Sequence, residues 1–464
     1  MRENVLLIGG GGREHAIARA LEDSEALRAS SSRTASDDSE ADLYACASNR
    51  NPGIARIASG FETLEETDPE AVVSYAEEVD ATLAVVGPET PLEAGVVDAL
   101  EDAGVYAFGP READARIETD KAFQRRFMAE NDVAGCPDYE VFDDTEAACE
   151  FIDEYDGDLA IKPAGLTGGK GVKVIGDQVT AEEGKAYIRD SEYDRIVLEE
   201  RLVGEEVTIQ AFVANGDVRT TPAVQDHKRA YEGDEGPNTG GMGSYSDATD
   251  ELPFMTADDY ERAVEIMEAV VDGLEDYRGI LYGQFMLTAE GPKVVEFNAR
   301  FGDPEAMNTL PVLETDFLDI LVAARDGEQL PDLEFSDQAT VCKYAVPEGY
   351  PTDPNAGAKV RIDEESVARA ARATDNSSGD EPRESAGDAR LFYASVDERD
   401  DGIYTTTSRS FAVVGLADTI ADAEEIAEDA LEAAGEEGLR MRHDIGEEGL
   451  VQQRIDHMNE LRGE

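Results

Sequence analysis

The 464-residue chain has no tryptophan, four cysteines and nine lysines, set against 105 acidic residues and a formal net charge of −65. Cys46, Cys136, Cys149 and Cys342 are scattered with no C-x-x-C pair, so neither a disulfide framework nor a zinc site is suggested. There is no run of about 18 apolar residues, and the start MRENVLLIGG lacks the three regions of a signal peptide. A soluble protein in a reducing cytoplasm, with no membrane partner, is therefore expected. The 40 basic residues form no patch able to release counterions from phosphates, which argues against nucleic acid as a partner.

What is abundant is acid. It covers helical patterns such as DTEAACEFIDEYDGD and ADAEEIAEDALEAAGEE, while the apolar positions persist beneath. Such a surface suits a halophilic cytosol, where salt near 1 M shortens the Debye length to roughly 3 Å and screens self-repulsion. The length predicts roughly two to four domains.

The first 118 residues alternate strand and helix: NVLLIGG, GGREHAIARALE, DLYACA, ATLAVVGPE, a helix ending near Gly104, and VYAFGP as a fourth strand. That order predicts a doubly wound parallel sheet with ligands at the strands' carboxyl ends. From Thr119 a mixed α+β pattern follows. It holds the helix DKAFQRRFMAEN, the strands DLAIKPA and GVKVIG, and RIVLEERLVGEEVTIQAFV, read as two strands about a tight turn at Val203-Gly204-Glu205. QDHKRAYEGDEGPNTGGMGSYS, residues 225–246, is too polar and glycine-rich for regular structure, and long loops of that kind are usually functional or disordered. After about residue 335 short strands and two helices predict a β-rich α+β domain. Residues 28–42 and 372–388 read as acidic, solvated insertions.

Four stretches carry chemistry. GGGGREHA, residues 9–16, follows a strand and opens a helix but does not complete G-x-G-x-x-G; a phosphorylated sugar, a plain structural turn and a nicotinamide site all remain open. KPAGLTGGKGVKV, residues 162–174, fails as a P-loop, because counting from Gly165 the second glycine falls on Lys170 and no hydroxyl follows that lysine. Whatever phosphate it holds, the metal must be held elsewhere. Lys121, Lys162 and Lys170 are three of nine lysines in a chain that removes them, which favours anion ligands; the competing reading has Lys162 paired with a carboxylate to brace its sheet, and Lys121 simply opening a helix.

In LEERLVGEE, residues 198–206, backbone from Glu200 to Leu202 suits an adenine edge and the following carboxylate suits ribose hydroxyls. In VVEFNARFGDPE, residues 294–305, alternation puts Glu296 and Asn298 on one face with Arg300 following. With Gln284 they make a set of hard oxygens suited to Mg²⁺, the alternative being a buried Glu–Arg pair.

Taken in order, GGREHA, GPE, DKAF, KP-x-GL-x-GGKGV, EE-x-L-x-GEE, QDHKR with GPNTGGMG, and EFN-x-RFGDPE resemble the phosphoribosylamine–glycine ligase (glycinamide ribonucleotide synthetase) family of the ATP-grasp superfamily. The resemblance covers nearly the whole chain, and QDHKR with GPNTGGMG is its most specific part. KPAGL departs from the K-x-DGL of many members, so one acid expected near the nucleotide is missing.

The resemblance implies an N-terminal pre-ATP-grasp α/β domain over 1–118, an ATP-grasp domain over 119–335 with a mobile lid at about 136–198, and a C-terminal domain over 336–464. It implies ATP as co-substrate, held by Lys121, Lys162 and Gly168, Gly169, Lys170 and Gly171 at the phosphates, by Glu200 and Leu202 at adenine and by Glu206 at ribose. Mg²⁺ or Mn²⁺ would sit on Gln284, Glu296 and Asn298. Glycine and 5-phosphoribosylamine would be joined through glycyl phosphate, with Arg300 and Lys162 as catalytic residues. Gly11, Arg13, Glu14, His15, Asp226, Lys228, Asn238, Gly240, Gly241 and Arg300 would line the substrate pocket, His15 being equally readable as a packed helix residue. A monomer or weak dimer is expected. The rivals are another ATP-grasp carboxylate–amine ligase, a nicotinamide oxidoreductase built on GGGGREHA, and a nucleotide-binding regulator without turnover.

Overall fold

A computed structural model describes residues 2–31, 41–166, 171–191, 193–373, 387–435 and 437–463. The N-terminal part holds strands β1 (Glu3–Ile8), β2 (Ala41–Ala47), β3 (Gly60–Thr63), β4 (Leu83–Val86) and β5 (Tyr106–Phe108), ordered β3-β2-β1-β4-β5 and parallel throughout. Helices cover both faces, so β1, β2 and β4 are apolar along nearly their full length rather than alternating. The doubly wound sheet expected from the sequence is present. It has one more strand than predicted, since GFET of β3 is a half-exposed edge with little apolar signal, and VYAFGP is therefore the fifth strand.

The central part is built on two sheets. Strands β6 (Tyr139–Phe142), β7 (Leu159–Pro163), β8 (Lys173–Val174) and β9 (Ile196–Glu200) form one, ordered β6-β9-β7-β8, with helices Thr145–Glu154 and Ala181–Asp190 packed on it around a separate small core of Ile152, Ile161, Ile188 and Leu198. Strands β10 (Glu205–Ala214), β11 (Asp217–Thr220), β16 (Gly279–Thr288) and β17 (Gly291–Asn298) form the other, ordered β11-β10-β16-β17. The predicted turn at Val203-Gly204-Glu205 is thus not a hairpin. It carries the chain from the first sheet to the second, because β9 pairs with β6 and β7 while β10 pairs with β11 and β16.

Residues 225–246 are also more regular than predicted: they hold the short strands β12 (Gln225–Asp226), β13 (Arg229–Tyr231), β14 (Glu235–Asn238) and β15 (Gly243–Ser246). β12 and β15 extend a sheet whose other members are β18 (Ala339–Pro347), β20 (Asp388–Tyr393), β23 (Phe411–Ala417) and β24 (Leu439–Arg440), in the order β12-β15-β18-β23-β20 with β24 paired to β18, so this sheet spans residue 335; β19 (Lys359–Val360), β21 (Val396–Arg399) and β22 (Gly402–Thr405) form a small separate sheet. Of the two acidic insertions, residues 32–40 and 374–386 lie outside the described residues; at their edges, helices Glu25–Ser31 and Glu364–Ala373 and strands β2 and β20 take over. The C-terminal helix Glu448–Arg462 buries Val451 and Met458 against the core beside β10.

Candidate functional site

The hairpin of β16 and β17 sets the centre of the site. Gln284 pairs with Glu296 and Tyr282 with Asn298, but Phe285 pairs with Val294, so Val295 is bulged out of the ladder. A bulge re-aims the groups beside it. Here it frees the Val295 carbonyl to accept from Lys162 Nζ at 2.9 Å and from Arg125 at 2.7 Å. Glu296, Asn298 and Gln284 share the cleft-facing side, as alternation predicted. Gln284 donates its amide to Glu206 Oε2 at 2.6 Å, while its Oε1 is buried with no partner.

Burial would push the Glu296 carboxyl up, but Lys121, Lys228, Lys162 and Arg300 outweigh it and hold it at about 2. Among the described residues no group of three or more His, Cys, Asp or Glu side chains is placed to hold a metal. A hard cation here would rest on one carboxylate plus amide oxygens, and the orphaned Gln284 Oε1 beside Glu296 fits that need.

Lys162, on β7, reaches across from the other sheet. Only 6 % exposed, it pairs with Glu199 at 2.7 Å, and Arg125 grips the same carboxylate through two bonds of 2.8 Å each. Burial would raise Glu199, but Arg125 and Lys162 bring it down to about 2. The Lys162 ammonium is itself lowered, by burial first and then by Arg125. Two cations thus share one carboxylate, and the surplus positive charge sits on Lys162 at the cleft wall. The sheet-bracing partner weighed for Lys162 exists, and the lysine lines the cleft as well. Lys121 is buried in the same wall, its backbone N–H donating to Ala164 at 2.8 Å, one helical turn before Arg125.

Two adjoining clefts meet here, of about 540 and about 590 Å³, and both are lined by Lys162, Val172, Glu206, Asp226, Lys228 and Asn238. The first lies between the two central sheets and takes in Glu200 and Leu202. The Glu200 N–H is already given to Asp138 at 2.9 Å, so this residue would meet a base through its carbonyl. Gly168, Gly169 and Lys170 lie outside the described residues. Gly171 is buried with its carbonyl accepting from Tyr187 at 2.8 Å, and its neighbour Val172 is what faces both clefts.

The second cleft runs to the N- and C-terminal parts and includes Gly11, Arg13, Glu14, Lys121, Gly240, Gln284, Glu296, Asn298 and Arg300. Gly9 of the glycine run and Gly87 leave room for a carboxylate: a Cβ on Gly87 would stand 2.2 Å from Glu14 Oε1 and one on Gly9, whose φ is +117°, 2.8 Å from Glu14 Cγ. Glu14 caps the Gly11 N–H at 2.7 Å and takes Arg13 at 2.5 Å. His15 departs from the expected pocket. It turns away from the cleft, packs against Phe392 and Tyr393, accepts from the Tyr393 N–H at 2.8 Å and is held by burial down to about 3, because the helix it rides shows only its first turn to the cleft. Gly241, at φ +107°, faces the Asp226 Oδ1 rather than open space.

Arg300 lies beyond the end of β17, yet it enters the cleft, paired with Glu118 at 2.8 Å and Glu89 at 3.4 Å. Glu118 also accepts the Ala299 N–H at 2.7 Å; burial pushes its carboxyl up to about 7, with Arg300 offsetting only part of the effect. Neither Glu118 nor Arg409 was singled out from the sequence. Arg409 binds the Gly240 carbonyl at 2.6 Å and Asp303 at 3.2 Å, fixing the loop over the cleft. One acid among 105 carries no local mark, and Arg409 reaches the site only because β23 sits beside β18.

The comparisons with known proteins agree along the chain. Residues 3–118, 119–306 and 340–448 match the N domain, the ATP-grasp (A) domain and the C domain of phosphoribosylglycinamide synthetase. Curated phosphoribosylamine–glycine ligases of Methanocella arvoryzae and Methanosarcina barkeri are 49 % and 50 % identical to it, over 99 % of this chain and 100 % of each relative. Among solved structures, the phosphoribosylamine–glycine ligase of Thermotoga maritima superposes with a TM-score of 0.74 at 24 % identity, covering 95 % of this chain and 99 % of that one. The biotin carboxylase domain of the Hydrogenobacter thermophilus 2-oxoglutarate carboxylase, solved with MgADP, shares the fold at a TM-score of 0.68 and 16 % identity, covering 100 % of this chain and 95 % of that one. The chain belongs to the phosphoribosylglycinamide synthetase family, with its N, ATP-grasp and C domains in order.

Proposed function

We propose that this enzyme joins glycine to 5-phosphoribosylamine at the expense of ATP, forming the amide of glycinamide ribonucleotide with ADP and phosphate, a step of purine biosynthesis. The observation that carries the reading is the surplus positive charge of the Arg125–Glu199–Lys162 cluster, facing Glu296 and the unpartnered Gln284 oxygen across one cleft. A polyphosphate supplies the missing negative charge. Phosphoryl transfer needs mainly such positioning and neutralisation.

In this reading Glu200 and Leu202 offer backbone to adenine, Glu206 accepts from the ribose hydroxyls, and Lys121, Lys162 and the glycine loop through Gly171 grip the phosphates. Gln284, Glu296 and Asn298 would hold a divalent cation, Mg²⁺ or Mn²⁺, which when bound neutralises phosphate charge. The glycine carboxylate attacks the γ-phosphorus; the bond to the bridging oxygen breaks and ADP leaves, giving glycyl phosphate. Arg300, aimed by Glu118 and Glu89, steadies the transferred group. The amine of phosphoribosylamine then attacks the acyl carbon, phosphate departs, and the nitrogen loses a proton.

In the same reading Asp226 and Lys228 shape the pocket for glycine and phosphoribosylamine. Gly11, Arg13, Glu14, Asn238 and Gly240 bound the sugar-phosphate end. Residues 1–118, 119–335 and 336–464 serve as the functional parts, with about 136–198 closing over ATP. Four free thiols, three of them buried, support a cytoplasmic setting; among the described residues no helix is long and apolar enough to cross a membrane. The test is ADP release measured with glycine, phosphoribosylamine, both or neither. Release that requires both is expected; release without glycine, or equally with another amino acid, overturns the assignment.

A further inference from the structure

The helix Glu448–Arg462 begins where the C-domain match ends, yet two of its side chains, Arg454 and His457, line the cleft between the central sheets. Both face one carboxylate, His457 within hydrogen-bond distance and Arg454 as an ion pair while its hydrogen bond goes to Asp234. His457 Nδ1 lies 2.6 Å from Glu205 Oε1 and Arg454 Nε 3.4 Å from Glu205 Oε2, with Glu205 only 5 % exposed. Gln225 joins this knot to the next residue: its amide donates to Glu205 Oε2 at 3.4 Å and to the Glu206 carbonyl at 3.2 Å, while Tyr245 OH donates to Gln225 Oε1 at 2.5 Å. Arg454 is braced in turn by Asp234, which Arg442 also holds at 2.9 Å. At the far end of the helix, Arg462 pairs with Asp259 at 2.6 Å, so the helix is pinned on both sides of His457.

We propose that this helix sets the enzyme's selectivity for the ribose of its nucleotide, Arg454 and His457 acting through Glu205 and Gln225 to fix the backbone from which Glu206 projects. The inference rests on the reading of Glu206 as the ribose acceptor. Geometry supports it in two ways. Successive strand residues point to opposite faces, so holding Glu205 on the helix side turns Glu206 to the other, where Gln284 meets it at 2.6 Å. No slack is available at the strand's start either, because a Cβ on Gly204 would stand 1.8 Å from the Leu287 carbonyl. A carboxylate held this way discriminates a hydroxyl from its absence, whereas a mobile one binds both nucleotides alike. Arg454 and His457 are positioning residues, since neither is required to touch the ligand.

The test compares ATP with 2′-deoxy-ATP in full-length Arg454→Met, His457→Phe and the double variant, with Arg454→Lys as the conservative control and Glu206→Ala as the reference for the site. The double variant is expected to raise the KM for ATP about tenfold, the worth of one hydroxyl hydrogen bond, while the KM for 2′-deoxy-ATP and kcat stay within about twofold. Arg454→Lys is expected to keep most of the preference. Equal loss for both nucleotides, or no loss, while Glu206→Ala abolishes the preference, overturns the helix's role and leaves the site standing. Indifference of Glu206→Ala to the nucleotide's hydroxyl overturns the ribose assignment itself. If the double variant melts early, Arg454→Gln with His457→Gln, which keeps polar side chains at both positions but removes the charge at Arg454, gives the same comparison in a milder background.

Discussion

Replacing Lys162 by methionine separates the two duties this residue carries. The ammonium has three donors; Glu199 takes one at 2.7 Å and the Val295 carbonyl another at 2.9 Å, which leaves one for the cleft. Removing the charge costs the fold little. Glu199 keeps both bonds to Arg125, and the ammonium's own burial, which lowers its proton affinity, is relieved, so a stability loss of about 1 kcal/mol or less is expected. The nucleotide loses a charge-assisted hydrogen bond worth about 1.5–3 kcal/mol, or roughly 10- to 150-fold in affinity at about 1.4 kcal/mol per decade. Urea unfolding and calorimetric titration with ADP, on the same preparation at neutral pH, measure both quantities. A fall of about 3–5 kcal/mol in unfolding free energy with ADP affinity unchanged would mean that Lys162 is a strut for Glu199, and the charge argument would fail.

Glu296→Ala is expected to lower turnover at least about 100-fold, judged by the cost of disturbing metal sites, with an unaltered circular dichroism spectrum; turnover within about tenfold of the parent would remove the cation from this face. Glu118 gives a pH signature: its carboxyl stands near 7 in the fold against 4.5 free, so the native state binds the extra proton between those values and stability falls as pH rises through them. The loss is about 3 kcal/mol at about 1.36 per unit; Glu118→Gln should abolish that slope in urea melts, and a slope that persists assigns it elsewhere. Glu199 works in the opposite sense. Held at about 2, it contributes stability above its ordinary 4.5 that is lost as pH falls from there towards 2, and Glu199→Gln should flatten that acid limb of the melting profile. Gly87→Ala, by driving a Cβ to 2.2 Å from Glu14, should raise the KM for the sugar-phosphate substrate while leaving that for ATP unchanged; an equal rise in both would mean the sheet itself had shifted.

Periodic features were legible in the sequence and contacts between distant segments were not. The parallel N-terminal sheet followed from apolar runs, and the shared face of Glu296 and Asn298 from strand alternation. The edge strand β3 escaped because a half-exposed GFET has no apolar pattern to show. Residues 225–246 escaped for a different reason. Their strands are two to four residues long and owe their order to β18 and to each other, so their glycines looked like loop while tertiary pairing overrode propensity. The crossing at Val203–Glu205 could not be told from a hairpin, since either partner sheet lay outside the local sequence.

The scarcity of lysine was a sound signal with a limited content. An ammonium that survives in a chain of net charge −65 has an acceptor that a water molecule does not replace, but the acceptor need not be a ligand. Lys121, Lys162 and Lys228 line the clefts, as an anion-binding reading requires. Lys343 is just as buried and binds Glu424 and Glu428 at 2.6 Å each, and Lys185 pairs with Asp153 at 2.6 Å; both are structural. What sets Lys162 apart is the stoichiometry of its direct ion pairs. Lys343 has two carboxylates to one cation, whereas Lys162 shares one carboxylate with Arg125 and is left in surplus. A buried cation that shares its only directly paired carboxylate costs the fold unless something brings further negative charge, and in the proposed function the nucleotide's phosphates, entering the cleft beside it, are what bring it.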